Sequence, residues 1–241
     1  MIQIGCHEPS SFEKRLDVMV MTGVILGFLI GVSIGLLYSG VSFPNFLIFV
    51  ILFFVFHILE FMFNAVNFPK ETSFASYLLT HSKEFLIAFS SALTEYWIEF
   101  FIFPELKTNP YIYITGLVVC VVGQVMRSVA MFYAQSNFNH IIETEKRESH
   151  QLVDDFIYKY LRHPSYTGWF YWSVFSQVVL CNPICLVLYI YASWTFFEDR
   201  IPYEEATLYE QFGEKYCDYM KKTYILIPCI TSVNPPNKKL L

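Results

Sequence analysis

Two polar segments hold the side chains of this sequence whose types and spacing best suit chemistry. The first reads Arg162-His163-Pro164-Ser165-Tyr166, and the second contains Arg200 and Glu204. An arginine can bind a carboxylate through the planar fork of its guanidinium group. A glutamate four residues further along a helix lies on the same face, one turn away. The second segment therefore predicts an anion-binding arginine with a carboxylate beside it.

The run between these segments, residues 166–197, contains no Asp, Glu, Lys or Arg. It is too long for one membrane crossing, which takes about 20 residues. Asn182-Pro183 interrupts it, because the residue before a proline disfavours helical backbone. We therefore predict a tight helical hairpin that enters and leaves the membrane on one side and brings the two polar segments together. By the same rule, Pro164 should begin the first hairpin helix, with His163 at its N-terminus.

The composition is that of a membrane protein. Hydrophobic residues make up 55% of the 241 residues and charged residues only 15%, and the mean hydropathy is +0.42. These values lie outside the usual range of soluble domains. The net charge of −5 argues against a nucleic-acid-binding surface. The six cysteines form no Cys-x-x-Cys pair and have no histidine at metal-binding spacing, so we expect no metal site.

The apolar runs predict an all-α, polytopic integral membrane protein with six spanning helices. Besides the hairpin, apolar runs long enough to cross cover residues 18–38, 43–63, 85–103 and 111–133. The chain then divides into an N-terminal segment (1–17), four spans (18–133), a catalytic region (134–227) and a tail (228–241). The catalytic region is expected to consist of a polar loop, the hairpin over 166–197 and an amphipathic helix over 201–222.

Six crossings put both termini on one side of the membrane, and the basic residues indicate which side. Apart from Lys107 and Arg127, every lysine and arginine lies on the face that holds the termini and the 134–162 loop. Cytosolic segments carry an excess of these residues, so this face is predicted to be cytosolic. The two polar segments then face the cytosol.

Charged residues inside predicted spans are costly and therefore candidates for structure or function. At about 1.5 Å per residue, Arg127 and Glu95 should lie within reach of each other, and we predict that they pair. His57 and Glu60 lie at similar or shallower depth, whereas Glu99 has no predicted partner. Such a pair can lock helices together or line the pathway of a transporter.

Together these motifs resemble the isoprenylcysteine carboxyl methyltransferases of the endoplasmic reticulum. The similarity rests on Arg162-His163-Pro164-Ser165-Tyr166-x-Gly168, Leu180-Cys181-Asn182-Pro183 and Asp199-Arg200-x3-Glu204-Glu205. It extends to Ser136-Asn137-Phe138-Asn139-His140, Glu145-Lys146, His150-x-Leu152-Val153, His57-x2-Glu60 and Asn67-x-Pro69-Lys70. The resemblance covers most of the chain after residue 50.

The resemblance implies methylation of the C-terminal carboxylate of a farnesylated or geranylgeranylated cysteine, with S-adenosylmethionine as the donor. The implied partners are CaaX-processed proteins of the small-GTPase type, presented at the lipid bilayer. A cytosolic cofactor pocket without a Rossmann domain is expected, and the sequence has no Gly-x-Gly-x-x-Gly motif. Arg200 would bind the substrate carboxylate and act as the catalytic group. The implied cofactor contacts are Glu143, His150, Gln151, Leu152, Val153, Tyr158, His163, Pro164, Ser165, Tyr166 and Glu204.

Two positions depart from the family pattern. Glu143 stands where relatives often have glutamine, and Asp154-Asp155-Phe156 replaces a stretch that usually carries a glycine. The backbone leading to Tyr158 is therefore expected to differ. No general base is assigned, because a cysteine carboxylate with a pKa of about 3.5 is already ionised at neutral pH.

Three other functions share parts of this pattern. Phospholipid N-methyltransferases and membrane sterol reductases have a similar C-terminal hairpin, and a transporter could use the intramembrane charges. A phospholipid amine needs no arginine for a carboxylate, and a reductase would bind a nicotinamide cofactor.

Lys238-Lys239 near the C-terminus resembles a cytosolic dilysine signal for return to the endoplasmic reticulum. Candidate linings for a prenyl chain are Trp97, Phe101, Trp169, Tyr171, Trp172 and Phe175.

Overall fold

A computed structural model describes residues 14–80, 82–142 and 150–230. The expectations that concern Glu143, Glu145-Lys146, most of the 1–17 segment and the dilysine pair at 238–239 lie outside the described residues. Seven α-helices account for most of the described chain. They are α1 (Leu16–Tyr38), α2 (Pro44–Asn67), α3 (Lys83–Ile102), α4 (Pro110–Ala134), α5 (Pro164–Leu180), α6 (Pro183–Phe212) and α7 (Glu214–Met220).

The all-helical fold class predicted from the sequence is confirmed. Helices α1 to α4 are long and apolar enough to cross a membrane, and their positions match the four spans predicted within residues 18–133. Their lengths of 20 to 25 residues agree with the thickness of a bilayer. Between α2 and α3, the described residues 68–80 and 82 contain one short 3₁₀ turn, Phe74–Tyr77.

Helices α5 and α6 form the predicted hairpin. The chain turns at Cys181, whose φ of 53° lies in the left-handed region, and Pro183 begins α6. Helix α6 then continues through Pro202 to Phe212, and Gly213 (φ 58°) separates it from α7. The amphipathic helix predicted over 201–222 is therefore corrected, because its first part continues α6 and its last part is α7. A proline inside a helix removes one hydrogen bond, and here the helix runs on past it.

Three glycines let α4 and α5 pack almost backbone to backbone. A Cβ atom at Gly123 would lie 2.7 Å from the carbonyl oxygen of Gly168, and one at Gly168 would lie 2.7 Å from the amide nitrogen of Arg127. A Cβ at Gly116 would lie equally close to the amide nitrogen of Val179. Small residues permit such close approach between helices in a membrane protein. This packing holds the start of α5 directly against Arg127.

Buried polar groups hold the turn of the hairpin. The Lys107 ammonium donates to the Glu99 carboxylate (2.6 Å), to the Asn182 side-chain oxygen (2.8 Å) and to the carbonyls of Leu180 (3.1 Å) and Cys181 (2.8 Å). These carbonyls end α5, where a cation is favourable. Glu99, which had no predicted partner, is thereby neutralised.

The predicted Arg127–Glu95 pair was wrong. Both Glu95 oxygens accept backbone N–H groups at the start of α6, from Ile184 (2.7 Å) and Cys185 (2.6 Å). Helix α3 packs against α6, whereas α2 packs against α4, so the carboxylate that reaches Arg127 comes from α2. An estimate of depth along the membrane does not determine which helices are neighbours.

Candidate active site

A cavity lies where the chain after α4, the segment 150–163, the start of α5 and the end of α6 meet. Nine of the residues expected to bind a cofactor line it: His150, Gln151, Leu152, Val153, Tyr158, His163, Ser165, Tyr166 and Glu204. Pro164 does not line the cavity, because it is the first residue of α5 and is buried in the helix packing. Two separate stretches of sequence thus meet at one site.

His163 adopts left-handed backbone (φ 53°) directly before α5, as the following proline favours an exit from the helix. Its ring stacks on Tyr166 with parallel planes (3°) and a centroid distance of 5.4 Å. Its Nδ1 lies 3.7 Å from Glu204 and its Nε2 lies 3.4 Å from Glu205. The predicted position of the imidazole at a helix N-terminus is confirmed, and two carboxylates lie beside it.

Arg162 connects this helix start to the end of the described chain. Its Nε lies 2.9 Å from the buried Glu205 carboxylate, and its Nη1 donates to the carbonyls of Met220 (2.6 Å) and Thr223 (3.2 Å). A parallel bridge pairs Leu161 with Tyr224. The segment after α7 is therefore bound to Arg162, which lines the cavity.

Arg200 lies beside the cavity and is linked to it through Tyr166. Its Nε donates to the Tyr166 hydroxyl (2.8 Å), and its Nη2 donates to the carbonyl of His140 (2.6 Å). The same hydroxyl donates to the Glu204 carboxylate at 2.5 Å. The Arg200 guanidinium also lies 5.7 Å from the Phe196 ring centroid. An arginine and a carboxylate therefore meet through one tyrosine.

Asp154-Asp155-Phe156, which departs from the family pattern, is accommodated by contacts with α4. Phe156 takes a positive φ of 49°, stacks on Tyr133 at 4.8 Å, and Asp155 accepts the Tyr133 hydroxyl at 2.7 Å. Tyr158 still lines the cavity and donates to the Ala130 carbonyl (3.2 Å). Burial raises the pKa of Tyr158, so its hydroxyl remains a donor at neutral pH.

Comparison with known proteins places this geometry in a family. The model of the isoprenylcysteine carboxyl methyltransferase family matches residues 115–210. A protein-S-isoprenylcysteine O-methyltransferase of Mus musculus is 44% identical over 208 residues, which are 86% of this chain and 74% of that protein. The enzyme of the same name from Saccharomyces cerevisiae is 38% identical and covers 93% of this chain and 96% of its own length. The chain belongs to the isoprenylcysteine carboxyl methyltransferase family.

The fold agrees with a solved member of the family. The structure of a eukaryotic intramembrane Ras methyltransferase of this family superposes with a TM-score of 0.84 at 38% identity, covering 87% of this chain and 76% of that one. The family model matches the sequence from within α4 to the end of α6. The matched part therefore contains Arg127, most of both arms of the hairpin and the cavity lining except Phe212, Tyr216 and Tyr219.

A second buried cluster lies next to the cavity and contacts one of its lining residues, Ser165. Arg127 binds Glu60 through Nε (2.5 Å) and Nη2 (2.9 Å), and its Nη1 donates to the Ser165 hydroxyl (3.0 Å). His140 Nε2 lies 3.4 Å from the same glutamate. His57, which was expected nearby, bonds through Nδ1 to the carbonyl of Tyr77 (2.6 Å). The cluster thus fixes Ser165 and the loop residue His140 at the edge of the site.

Half of the cavity lining was not among the expected cofactor contacts. The additional residues are Ala134, Asn137, Phe138, Asn139, Arg162, Leu208, Phe212, Tyr216 and Tyr219. Asn137 accepts the backbone N–H of Gln151 at 2.9 Å, which holds the 150–153 segment against the helix bundle. The Asn-Phe-Asn motif at 137–139 was a signal for this, whereas the α7 tyrosines carried none. Their contribution depends on the turn at Gly213, which the sequence pattern placed inside a helix.

Proposed function

We propose that this protein transfers a methyl group from S-adenosylmethionine to the C-terminal carboxylate of a prenylated cysteine. The observation that carries the proposal is the contact of Arg200 and Glu204 with one Tyr166 hydroxyl. A carboxylate held by Arg200 would lie beside the cavity that Glu204 lines. The family's activity requires two ligands side by side, and this arrangement offers a place for each.

The residues around the cavity fit S-adenosylmethionine. The Glu204 carboxylate suits a cationic or hydroxyl-bearing part of the cofactor, and the start of α5 suits its carboxylate. The Tyr216 hydroxyl is buried at the cavity and has no hydrogen-bond partner among the described residues. A buried polar group without a partner is costly unless a ligand or water completes it.

The cofactor would supply an electrophilic methyl group on a sulfonium. The chain's own residues need not remove a proton, because the prenylcysteine carboxylate is ionised at neutral pH. Arg200 would orient this carboxylate with its guanidinium fork and leave one oxygen lone pair free. A closed, dry setting should favour a reaction in which an anion and a cation lose their charges.

We propose six membrane crossings, with the cavity and both termini in the cytosol. The basic residues support this orientation. Lys107, which would lie on the opposite side, is buried and neutralised by Glu99. Helix α5 is 17 residues long, or about 25 Å at 1.5 Å per residue, and is packed mainly against protein. Residence in the endoplasmic reticulum remains part of this proposal, together with the Lys238-Lys239 signal.

The prenyl chain is proposed to approach Arg200 sideways from the bilayer. Trp169 packs on Phe196 (6.0 Å) and Phe197 (5.5 Å) beside Arg200, which makes it the best-placed of the aromatic candidates. Trp172 instead stacks on Phe56 inside the core (4.5 Å), and Phe101 is 77% exposed on the outer surface. The substrate is thus a CaaX-processed protein whose farnesyl or geranylgeranyl group lies in the membrane.

The decisive experiment is methyl transfer with purified protein in lipid vesicles. Labelled S-adenosylmethionine and N-acetyl-farnesylcysteine should give a base-labile methyl ester, and N-acetyl-farnesylcysteine methyl ester should give none. Label on phospholipid amines would instead indicate a phospholipid N-methyltransferase. Binding of NADPH in place of S-adenosylhomocysteine would indicate a reductase.

A further inference from the structure

The Tyr166 hydroxyl lies between two opposite charges of α6. Arg200 Nε is 2.8 Å from it and Glu204 Oε2 is 2.5 Å from it. A guanidinium group can only donate, so the tyrosine oxygen accepts from Arg200. Its single proton must then be directed at Glu204. The hydroxyl therefore has one defined orientation, which follows from the donor and acceptor capacity of its neighbours.

Arg200 and Glu204 would be expected to pair directly. They are four residues apart on one continuous helix, the spacing at which side chains of opposite charge meet. Within the described chain they form no direct ion pair, and each is bonded to Tyr166 instead. The two charges are thus separated by a single inserted oxygen atom.

Packing fixes the position of that oxygen. The Tyr166 side chain is buried, and its ring is stacked on His163 on one side (5.4 Å) and inclined against Phe197 on another (5.2 Å). The Arg200 guanidinium lies 5.3 Å from the ring centroid, a cation–π contact. A ring held in this way cannot swing aside to let the two charged groups close on each other.

We infer that Tyr166 is a positioning residue that keeps Arg200 and Glu204 from neutralising each other. Arg200 thereby stays available for the substrate carboxylate, and Glu204 stays available for the cofactor. Without the hydroxyl, each charged group loses a partner, and the opposite charge one helical turn away can take its place. This inference rests on the proposed function and adds a separate role for the tyrosine, distinct from any direct contact with the cofactor.

The test is a suppression experiment on binding of S-adenosylhomocysteine to the full chain in detergent micelles, measured by titration calorimetry. Tyr166→Phe should weaken binding about tenfold, the usual effect of one hydrogen bond to a charged group. Adding Arg200→Gln removes the charge that would capture Glu204. The double variant should therefore bind within about threefold of Arg200→Gln alone, which is a recovery from the Tyr166→Phe level.

Tyr133→Phe is the matched control. It also removes a tyrosine hydroxyl that donates to a carboxylate, that of Asp155, but it lies outside the cavity, so binding should be unchanged with or without Arg200→Gln. If Tyr166→Phe does not stay folded, Tyr166→Met repeats the comparison, because methionine also lacks the hydroxyl and adapts to irregular space.

Two results would overturn the inference. One is a double variant that binds as weakly as Tyr166→Phe, which would mean that the tyrosine acts only through its own contact with the cofactor. The other is unchanged binding by Tyr166→Phe. If the wild-type protein binds no S-adenosylhomocysteine and methylates no prenylcysteine, the proposed function itself fails, which is a different outcome from either of these.

Discussion

The two ends of the α5–α6 hairpin are both rich in buried charge, yet they use it differently. At the turn, Lys107 and Glu95 bind the chain's own carbonyls and N–H groups at the two helix ends. At the open end, Arg200 and Glu204 are bonded to a tyrosine at the edge of a cavity. Charges whose partners are backbone groups of the same fold indicate structure. Charges held at the edge of a cavity indicate a ligand.

The strongest test of this contrast is Lys107→Met. The variant leaves Glu99 buried without its cation, which typically costs about 3–5 kcal/mol. We expect a clearly lower melting temperature in detergent, while the fraction that remains folded binds S-adenosylhomocysteine normally. The double variant Lys107→Met/Glu99→Gln should recover part of the loss. A single variant as stable as the wild type would mean that the turn does not depend on its ion pair.

The reverse pattern is expected for Arg200→Lys. A lysine keeps the charge but lacks the planar fork, so methyl transfer should fall about a hundredfold, or about 2.7 kcal/mol, with the melting temperature unchanged. Arg15→Lys, an exposed arginine paired with Asp17, is the control and should retain full activity. Methylation of N-acetyl-farnesylcysteine measures both. Normal turnover by Arg200→Lys would remove Arg200 from the site.

Gly123→Ala tests the packing of α4 against α5, the helix that runs between the two ends of the hairpin. The added methyl group would meet the Gly168 carbonyl at 2.7 Å, so α4 and α5 must separate, at a cost of about 1–3 kcal/mol. Thermal unfolding measures the loss. Gly27→Ala on α1, where a Cβ meets nothing within 4 Å, should not lower stability. Equal behaviour of the two variants would show that the helices are not in such close contact.

The smallest effect is expected for Tyr158→Phe. Its hydroxyl donates to the Ala130 carbonyl at the cavity wall, and its loss should weaken S-adenosylhomocysteine binding by about 1 kcal/mol, or a few-fold. Tyr171→Phe removes a hydroxyl that donates to the Leu226 carbonyl outside the cavity, and binding should not change. Calorimetric titration distinguishes the two. If Tyr158→Phe weakened S-adenosylhomocysteine binding by more than the factor by which Arg200→Lys lowers methyl transfer, Tyr158 would be a principal binding residue.

The hairpin and the open end of the site could be predicted because they depend on local rules. Pro164 and Pro183 mark helix starts, and the spacing of Arg200 and Glu204 fixes their common face. The Arg127 partner could not be predicted, because the sequence suggests similar depths for Glu60 and Glu95 and only the arrangement of neighbouring helices decides between them. The role of Tyr216 escaped for a related reason. It depends on the turn at Gly213, after which the end of α7 contacts Arg162.

The fastening of Arg162 to Met220 and Thr223 has a consequence for how the protein is made. Residues 220–224 follow both arms of the hairpin in the sequence, so the hairpin is synthesised before the segment that binds Arg162. Until that segment has left the ribosome, Arg162 lacks its bonds to Met220 and Thr223, and the cavity lacks the wall that α7 supplies. The site is therefore completed only after the hairpin has been made.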